Sequence, residues 1–271
     1  MTTDANLIIL CDESGTMPEA DDESPFCATA IATRRAPILE KRGGYAEDLA
    51  EAFRENQCVP FVVFVRPRPG YGTMLRKKAS KMNTMARGTR LMTGENVYLP
   101  DRGHNPRDMI WIRCMAISLV NVVLRSERPQ ALRRLTVVLD SKSMRQESRR
   151  LFEDCVRSMA SDINGPAGAA EQLSDRPRRH VHFEPKDVSV LWSDKRASPQ
   201  RQFGDGLFLA DRLSGLARTA LEAGTEASLA ADLSMKFEDL FYDATPDVVR
   251  SLAEFSVQHW RSRTGLPEPS E

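Results

Sequence analysis

The sequence predicts an α/β protein in which helices flank a mixed sheet. Short apolar runs rich in β-branched and aromatic residues, such as 59–65, alternate with longer segments of helical spacing. Strands come first, followed by a helix, a strand, a helix, short strands and terminal helices. The 271 residues are 41% hydrophobic and 28% charged, which is ordinary for a globular chain with a sizeable core. We therefore expect one domain over residues 1–271. Disorder, collagen-like repeats and a disulfide scaffold are excluded for the chain as a whole.

The first part of the chain predicts three strands and one helix. The apolar run 7–11 ends at the polar stretch 12–15, as a buried strand does at a turn. Residues 26–32 predict a second strand, antiparallel to the first, and 45–56 place their apolar residues on one helical face. The run 59–65 is the most strand-like in the chain, and it stops at a segment rich in Pro and Gly that cannot continue a central strand.

The middle of the chain alternates helix and strand. Residues 74–92 have helical propensity, so we expect a basic helical insertion near 70–100. The segment 105–125 opens with Asn and then Pro, a favourable cap and first turn, and is apolar nearly all round, which predicts a central buried helix. Residues 135–139 predict another buried strand, and 143–163 an amphipathic helix.

The C-terminal part is expected to be mainly helical. Residues 180–183 and 188–192 are two further strand candidates. From residue 203 to about 261 the spacing is helical, with breaks near Gly224 and Pro246. We therefore expect a helical C-terminal extension from about residue 225.

The charges cancel in number but are unevenly placed. The 38 basic and 38 acidic side chains exclude a uniformly basic coat for nucleic acid. Residues 1–33 contain acidic residues but no Lys or Arg, whereas 56–94 contain basic residues but no Asp or Glu. Either the two blocks neutralise each other in the fold, or a carboxylate site lies beside a cationic groove for a polyanion. The basic residues expected to hold nucleic acid are Arg66, Arg68, Arg76, Lys77, Lys78, Lys81, Arg87 and Arg90.

The cysteines and hydropathy predict a cytoplasmic protein. The five cysteines are scattered without a CxxC pair, which indicates buried thiols in a reducing compartment, and the four His residues complete no zinc-ligand spacing. The first apolar run has only five residues, too few for a signal peptide. No stretch approaches the roughly 18 apolar residues of a membrane-spanning helix, so no membrane partner is expected.

Three carboxylates stand out by their positions. Asp12 follows the first predicted strand, Asp140 follows the 135–139 strand, and Asp211 lies in a mostly apolar helical stretch. If the two strands are neighbours, both aspartates open at the same edge of the sheet, and the helix can bring the third to it. Carboxylate oxygens suit one or two Mg²⁺ or Mn²⁺ ions. Glu13 is a weaker candidate, because strand alternation points it away from Asp12 unless the turn re-aims it.

Each aspartate also has a purely structural interpretation. Asp12 could cap a turn, and Asp140 could be the N-cap of the following helix. Asp211 could pair with Arg212 or another cation. Asp205 is expected to be an acidic residue at the start of a helix.

Several of these residues resemble a known family. The stretch Ile9-Leu10-Cys11-Asp12-Glu13-Ser14-Gly15 resembles the opening strand, with its Asp-Glu-Ser-Gly motif, of the bacterial domain-of-unknown-function 3800 family. Val137-Val138-Leu139-Asp140 is similar to that family's middle strand and aspartate. Residues 193–198 and 209–215 are similar to its C-terminal Ser-Lys stretch and Ala-Asp helix. The resemblance spans roughly residues 6–220.

The resemblance implies a ribonuclease H-like fold with a carboxylate cluster formed by Asp12, Asp140 and Asp211, with Glu13 beside them. That superfamily includes metal-dependent nucleases, so the implied activity is hydrolysis of nucleic-acid phosphodiesters, with Asp12 bridging the metal ions. The sequence departs from the family pattern at Phe208, where Gln is common, and at Thr16, where a polar or acidic residue is commoner.

Two alternatives remain open at this point. The stretch Asp12-Glu13-Ser14-Gly15-Thr16 also resembles the Asp-x-x-Gly-Thr loop of haloacid dehalogenase-like phosphatases, where the aspartate is a nucleophile. That family would need a later strand ending in paired acids, and the sequence has no such pair downstream. The second alternative is a non-catalytic module of the same fold that binds nucleic acid or a protein partner.

Overall fold

Six strands form one mixed sheet in the computed structural model, which describes residues 5–15, 25–39, 46–66, 106–125, 132–140, 146–164, 185, 187–193 and 202–239. In chain order the elements are β1 (Ala5–Ser14), β2 (Phe26–Thr33), α1 (Ala46–Glu55), β3 (Val59–Val65), α2 (Pro106–Arg125), β4 (Leu132–Asp140), α3 (Gln146–Asn164), β5 (Asp187–Ser193), α4 (Gly204–Ala223), α5 (Glu226–Asp232) and β6 (Lys236–Asp239). The predicted mixed α/β architecture is confirmed.

The strand order is β5-β4-β1-β2-β3-β6, so the N-terminal strand lies inside the sheet. β1 pairs antiparallel with β2, and β2 antiparallel with β3, as a meander. β4 runs parallel to β1, and β5 parallel to β4. β1 therefore has a neighbour on each side, and its side chains are buried wherever helices cover both faces.

Helices cover both faces of the sheet, and strand alternation divides the core between them. Leu7, Ile9 and Cys11 belong to the core shared with α2 and α3, whereas Leu10 belongs to the core shared with α1, α4 and α5. We call the second of these the α4 face. The buried character expected for α2 is confirmed, since it buries a continuous stripe that includes Ile112, Met115, Leu119 and Val122.

Aromatic side chains tie the edge strand β5 to the α2–α3 face. Trp192 stacks on Trp111 with ring centroids 6.1 Å apart, and Phe152 of α3 meets both rings edge-on. The Trp192 indole Nε1 donates a hydrogen bond of 3.0 Å to Glu153 Oε1, and the Arg149 guanidinium lies 5.0 Å from the Trp192 ring centroid. β5 is thus anchored by large stacked rings, and the polar group of its own ring, the Trp192 N–H, is hydrogen-bonded.

The N-terminal end of α4 packs unusually close to the sheet. A Cβ on Gly206 would lie 2.5 Å from Leu10 Cδ1, so a larger residue there would require the Leu10 side chain or the helix to shift. Asp205, expected as an acidic residue at a helix start, accepts the Leu39 backbone N–H at 3.1 Å. It thereby joins α4 to the segment that leaves β2.

One element differs from expectation, because residues 236–239 form a strand instead of continuing the helical C-terminal extension. α4 ends at Gly224, which adopts a left-handed conformation (φ 68°), and α5 lasts only to Asp232. β6 then pairs parallel with β3, with Phe237 opposite Val62. Its sequence, KFED, has too few apolar residues to predict a strand, and pairing with β3 overrides the local preference.

Other predictions lie outside the described residues. These are the helix over 74–92, the strand over 180–183 and the end of the helical extension after residue 239. No helix in the described part of the chain is long and apolar enough to span a membrane.

Candidate functional site

The register of β1 and β4 brings two of the candidate aspartates together. Their last paired positions are Cys11 and Leu139, so Asp12 and Asp140 come next on adjacent parallel strands. Adjacent strands lie about 5 Å apart, and residues at matching positions share a face. Leu10 and Val138, two residues earlier on each strand, both belong to the core of the α4 face. Asp12 and Asp140 therefore lie side by side on that face.

The two aspartates differ in exposure. Asp12 is 5% exposed, and its Oδ1 atom is buried. Asp140 is half-buried at the end of β4, opposite Ser193 of β5. The pair thus has one carboxylate set into the protein and one at the rim, which is a geometry that solvent can reach from one side.

The structure bears on the structural alternative for Asp12. Asp12 is not in a turn, because β1 continues to Ser14 and Asp12 pairs with Thr29 of β2. The expectation that Asp12 follows the first strand is wrong for the same reason. α3 spans Gln146–Asn164, and the residues between it and Asp140 lie outside the described part of the chain, so the N-cap interpretation of Asp140 stays open.

Asp211 comes from α4, on the same face of the sheet. The preceding residue, Ala210, is fully buried, and its carbonyl oxygen lies 3.4 Å from the Thr29 hydroxyl. The same hydroxyl donates to the Asp12 carbonyl oxygen at 3.0 Å. The main chains at Asp12 and Ala210 thus meet at one side chain, although the Asp211 side chain itself is exposed. Arg212, considered as a partner for Asp211, has its guanidinium 5.2 Å from the Phe208 ring centroid.

Glu13 is placed away from the pair. β1 remains in regular register with β2 from Ile8 to Ser14, so the strand alternation is unbroken. Glu13 therefore faces the α2–α3 side of the sheet, with Cys11. The turn does not re-aim it towards Asp12.

The structure shows why the Asp-Glu-Ser-Gly motif has a glycine at position 15. Its φ of +97° is one that L side chains rarely adopt, and a Cβ there would lie 2.1 Å from the Pro25 carbonyl oxygen. The glycine thus lets the chain leave β1 directly against the start of β2. Its requirement is structural and follows from backbone geometry.

Cys11 lies beside the site but carries no thiolate. Burial raises the pKa of the Cys11 thiol, and the negative charges of Asp12 and Glu13 raise it further. A thiol that keeps its proton is a poor metal ligand and a poor nucleophile. The chemistry available here is therefore that of the carboxylates.

The carboxylates do not form a closed metal cage. Within the described residues, no three His, Cys, Asp or Glu side chains are grouped so that they could hold a metal ion. Mg²⁺, however, is commonly bound by one or two carboxylates, with water and substrate phosphates supplying the other ligands. The Asp12–Asp140 pair offers two carboxylates for a site of that open kind, and Asp211 is exposed on the helix that covers the same face.

The basic run is described at one residue, Arg66. Its Nη2 atom lies 2.6 Å from Glu226 Oε1, and its guanidinium lies 5.5 Å from the Phe64 ring centroid. Arg66 is thus engaged with the start of α5 and would reach a phosphate only after that ion pair opens. The predictions for Arg68, Arg76, Lys77, Lys78, Lys81, Arg87 and Arg90 lie outside the described residues.

Thr29 and Ser193 are candidate site residues that the sequence did not reveal. Ser193 is the register partner of Asp140, and Thr29 is that of Asp12. Thr29 is a common strand residue without a local motif, and Ser193 opens the Ser-Lys stretch, which does not by itself place it beside Asp140. Their signal is strand register, which is available only once the sheet order is known.

Comparison with known proteins does not decide between these interpretations. No family model matches the chain, and neither the curated proteins nor the solved structures give a significant match.

Proposed function

We propose that this protein is a metal-dependent phosphodiesterase that hydrolyses nucleic acid, with Asp12 and Asp140 as its central metal-holding pair. The observation that supports the proposal most is the placement of these two carboxylates at matching positions of adjacent parallel strands. Asp140 ends β4 and Asp12 lies two residues before the end of β1, and the carboxyl ends of strands are where α/β proteins bind ligands.

We also propose a ribonuclease H-like fold and membership in the domain-of-unknown-function 3800 family. The support is that all three motif aspartates fall on the expected kinds of element. Asp12 lies on the first strand, Asp140 at the end of the adjacent β4, and Asp211 on the helix that crosses β1. The mixed sheet with helices on both faces agrees with this fold class.

The three aspartates differ in exposure, and we assign their roles at the site accordingly. A bound Mg²⁺ or Mn²⁺ ion would lower the pKa of the attacking water and stabilise the leaving oxygen. Asp12, buried in the sheet, holds a fixed carboxylate in a setting where charge interactions are strong. Asp140 is nearer to solvent, and Asp211 is exposed on the helix, so both can meet an incoming substrate.

The basic run would hold the nucleic-acid backbone through phosphate contacts. Such contacts release counterions, so binding should weaken as salt concentration rises. The acidic block around Asp12 would then act on a phosphodiester that the basic residues neutralise from another side.

The test is cleavage of labelled DNA and RNA, single- and double-stranded, with Mg²⁺ or Mn²⁺. Removing a metal-holding carboxylate should remove several kcal/mol of charge stabilisation, so Asp12→Asn and Asp140→Asn should each lower the rate about a hundredfold or more. Asp187→Asn is the matched control, because Asp187 lies at the opposite end of β5 in an exposed ion pair with Arg134.

The control should cleave at the wild-type rate, since an exposed ion pair contributes about 1 kcal/mol or less. Equal cleavage by wild type, Asp12→Asn and Asp140→Asn would refute the assignment of the pair. Absence of cleavage with nucleic-acid binding retained would favour the non-catalytic module. A phosphorylated Asp12 trapped with a phosphate ester would favour the phosphatase alternative.

A further inference from the structure

The Thr29 hydroxyl is buried in a mostly apolar setting. Thr29 is 0% exposed, and the buried core of the α4 face includes Leu10, Ile31 and Leu213. A buried hydroxyl is costly unless it is hydrogen-bonded. Its single proton is shared between two main-chain carbonyl oxygens, that of Asp12 at 3.0 Å and, in a longer contact, that of Ala210 at 3.4 Å.

These two carbonyls connect the hydroxyl to the proposed site from both sides. One belongs to Asp12 itself, and the other belongs to the residue immediately before Asp211. β2 thus carries a side chain that reaches β1 and α4 at the same point. The hydroxyl fixes where the helix that carries Asp211 lies relative to the strand that carries Asp12.

A second close contact defines the same helix position. Gly206, one turn before Ala210, lets α4 approach Leu10 without a side chain between them. The helix therefore contacts β1 at one turn, where Gly206 meets Leu10, and β2 at the next, where the Ala210 carbonyl oxygen lies 3.4 Å from the Thr29 hydroxyl. A change at the hydrogen bond should alter the distance between the carboxylates before it unfolds the sheet.

We propose that Thr29 is a positioning residue that holds Asp12 and Asp211 in register for one divalent cation. The proposal rests on the proposed metal-dependent function. Thr29 does not contact the cation, and acts through the main chains of Asp12 and Ala210.

The test compares Mn²⁺ binding by calorimetry in Thr29→Val and Thr29→Ser. Valine keeps the shape of threonine but has no hydroxyl, so Mn²⁺ affinity should fall about tenfold, as when a group that orients a metal ligand is lost. Serine keeps the hydroxyl, and binding should remain within about twofold of wild type.

Thr33→Val is the matched control. Thr33 is a second buried threonine of β2, 2% exposed, whose hydroxyl donates to the Arg35 carbonyl at 2.9 Å, away from the aspartates. It should lose comparable stability but bind Mn²⁺ like wild type. Amide hydrogen exchange gives a readout independent of metal, since Thr29→Val should speed exchange in residues 206–214 and Thr33→Val should not.

The outcomes separate this proposal from the function on which it rests. If wild type binds Mn²⁺ and Thr29→Val binds it equally well, or if Thr29→Ser does not restore binding, the positioning role is overturned alone. If wild type neither binds Mn²⁺ nor cleaves nucleic acid, both proposals are overturned. Should Thr29→Val fail to fold, Thr29→Ala against Thr29→Ser makes the same comparison of hydroxyl present and absent.

Discussion

Gly15 offers the sharpest test of how the first strand ends. Replacing it by alanine adds one methyl group at a residue with φ +97°, and that methyl carbon would lie 2.1 Å from the Pro25 carbonyl oxygen. The obstacle is a backbone atom, which cannot rotate aside as a side chain would. Either β1 and β2 must separate near their ends, or the chain must leave β1 by another path.

The expected cost follows from these two effects. A non-glycine residue in a sparsely populated backbone region costs of order 1–3 kcal/mol, and inserting an atom into filled space costs a similar amount. We expect Gly15→Ala to lower the free energy of unfolding by about 3 kcal/mol. For a protein of this size that corresponds to a fall in Tm of about 6–12 °C.

The matched control is the same substitution at Gly215. A Cβ on Gly215, within α4, would have no heavy atom within 4 Å. Alanine there should raise the free energy of unfolding by about 0.5–1 kcal/mol, because glycine is unfavourable in a helix interior. Urea and thermal unfolding measure both variants. If Gly15→Ala is as stable as wild type, or if both variants change stability by the same amount, the backbone argument for Gly15 is refuted.

Two further predictions concern the thiols and the basic run. Burial raises the pKa of Cys27 and of Cys58 from 9.0 to about 12. Because the unfolded chain then loses these thiol protons first, the free energy of unfolding should fall as pH rises from about 9 to 12. Urea midpoints at pH 8 and pH 11 should fall less for Cys27→Ala than for wild type, and an equal fall would contradict the assignment. If Arg66 contacts a phosphate, Arg66→Ala should reduce the slope of log affinity against log salt by about 1, and Glu226→Gln should raise affinity by freeing the guanidinium. An unchanged slope in a DNA-binding titration would restrict Arg66 to its ion pair with Glu226.

Much of the fold was predictable where local preference and burial agree. The run 59–65 consists of β-branched and aromatic residues except for its proline, and β3 spans the same residues. α2 begins at Pro106, as the favourable first-turn proline predicts, and α4 ends where Gly224 takes a left-handed conformation. At each of these two helix ends, a single residue, Pro106 or Gly224, sets the boundary through its own backbone preference.

The failures occur where pairing decides the structure. β1 extends past its apolar run because Asp12, Glu13 and Ser14 are still paired with β2, although their side chains are polar. β6 is a strand because the edge of β3 is there to pair with. Neither fact is recorded in the local sequence, since the partner strand lies elsewhere in the chain.

The candidate site was predictable as a set of residues but not as an arrangement. The sequence singled out Asp12, Asp140 and Asp211 by their neighbours. Only the sheet order shows that the first two are adjacent, and only the register shows that Glu13 lies on the other face. Thr29 could not be identified as a site residue without knowing which helix crosses β2 and which residue of that helix lies against it.

The central place of β1 has a consequence for synthesis of the chain. Its parallel partner β4 leaves the ribosome only after about 130 further residues, since Leu7 pairs with Leu135. At bacterial or eukaryotic elongation rates this is a delay on the order of 10 s. A β1–β2–β3 meander formed during that delay would expose two strand edges, that of β1 until β4 is made and that of β3 until β6 is made, and open strand edges are prone to aggregation. α4 arrives later still, so Asp12 acquires its surroundings only when more than three quarters of the polypeptide has been made.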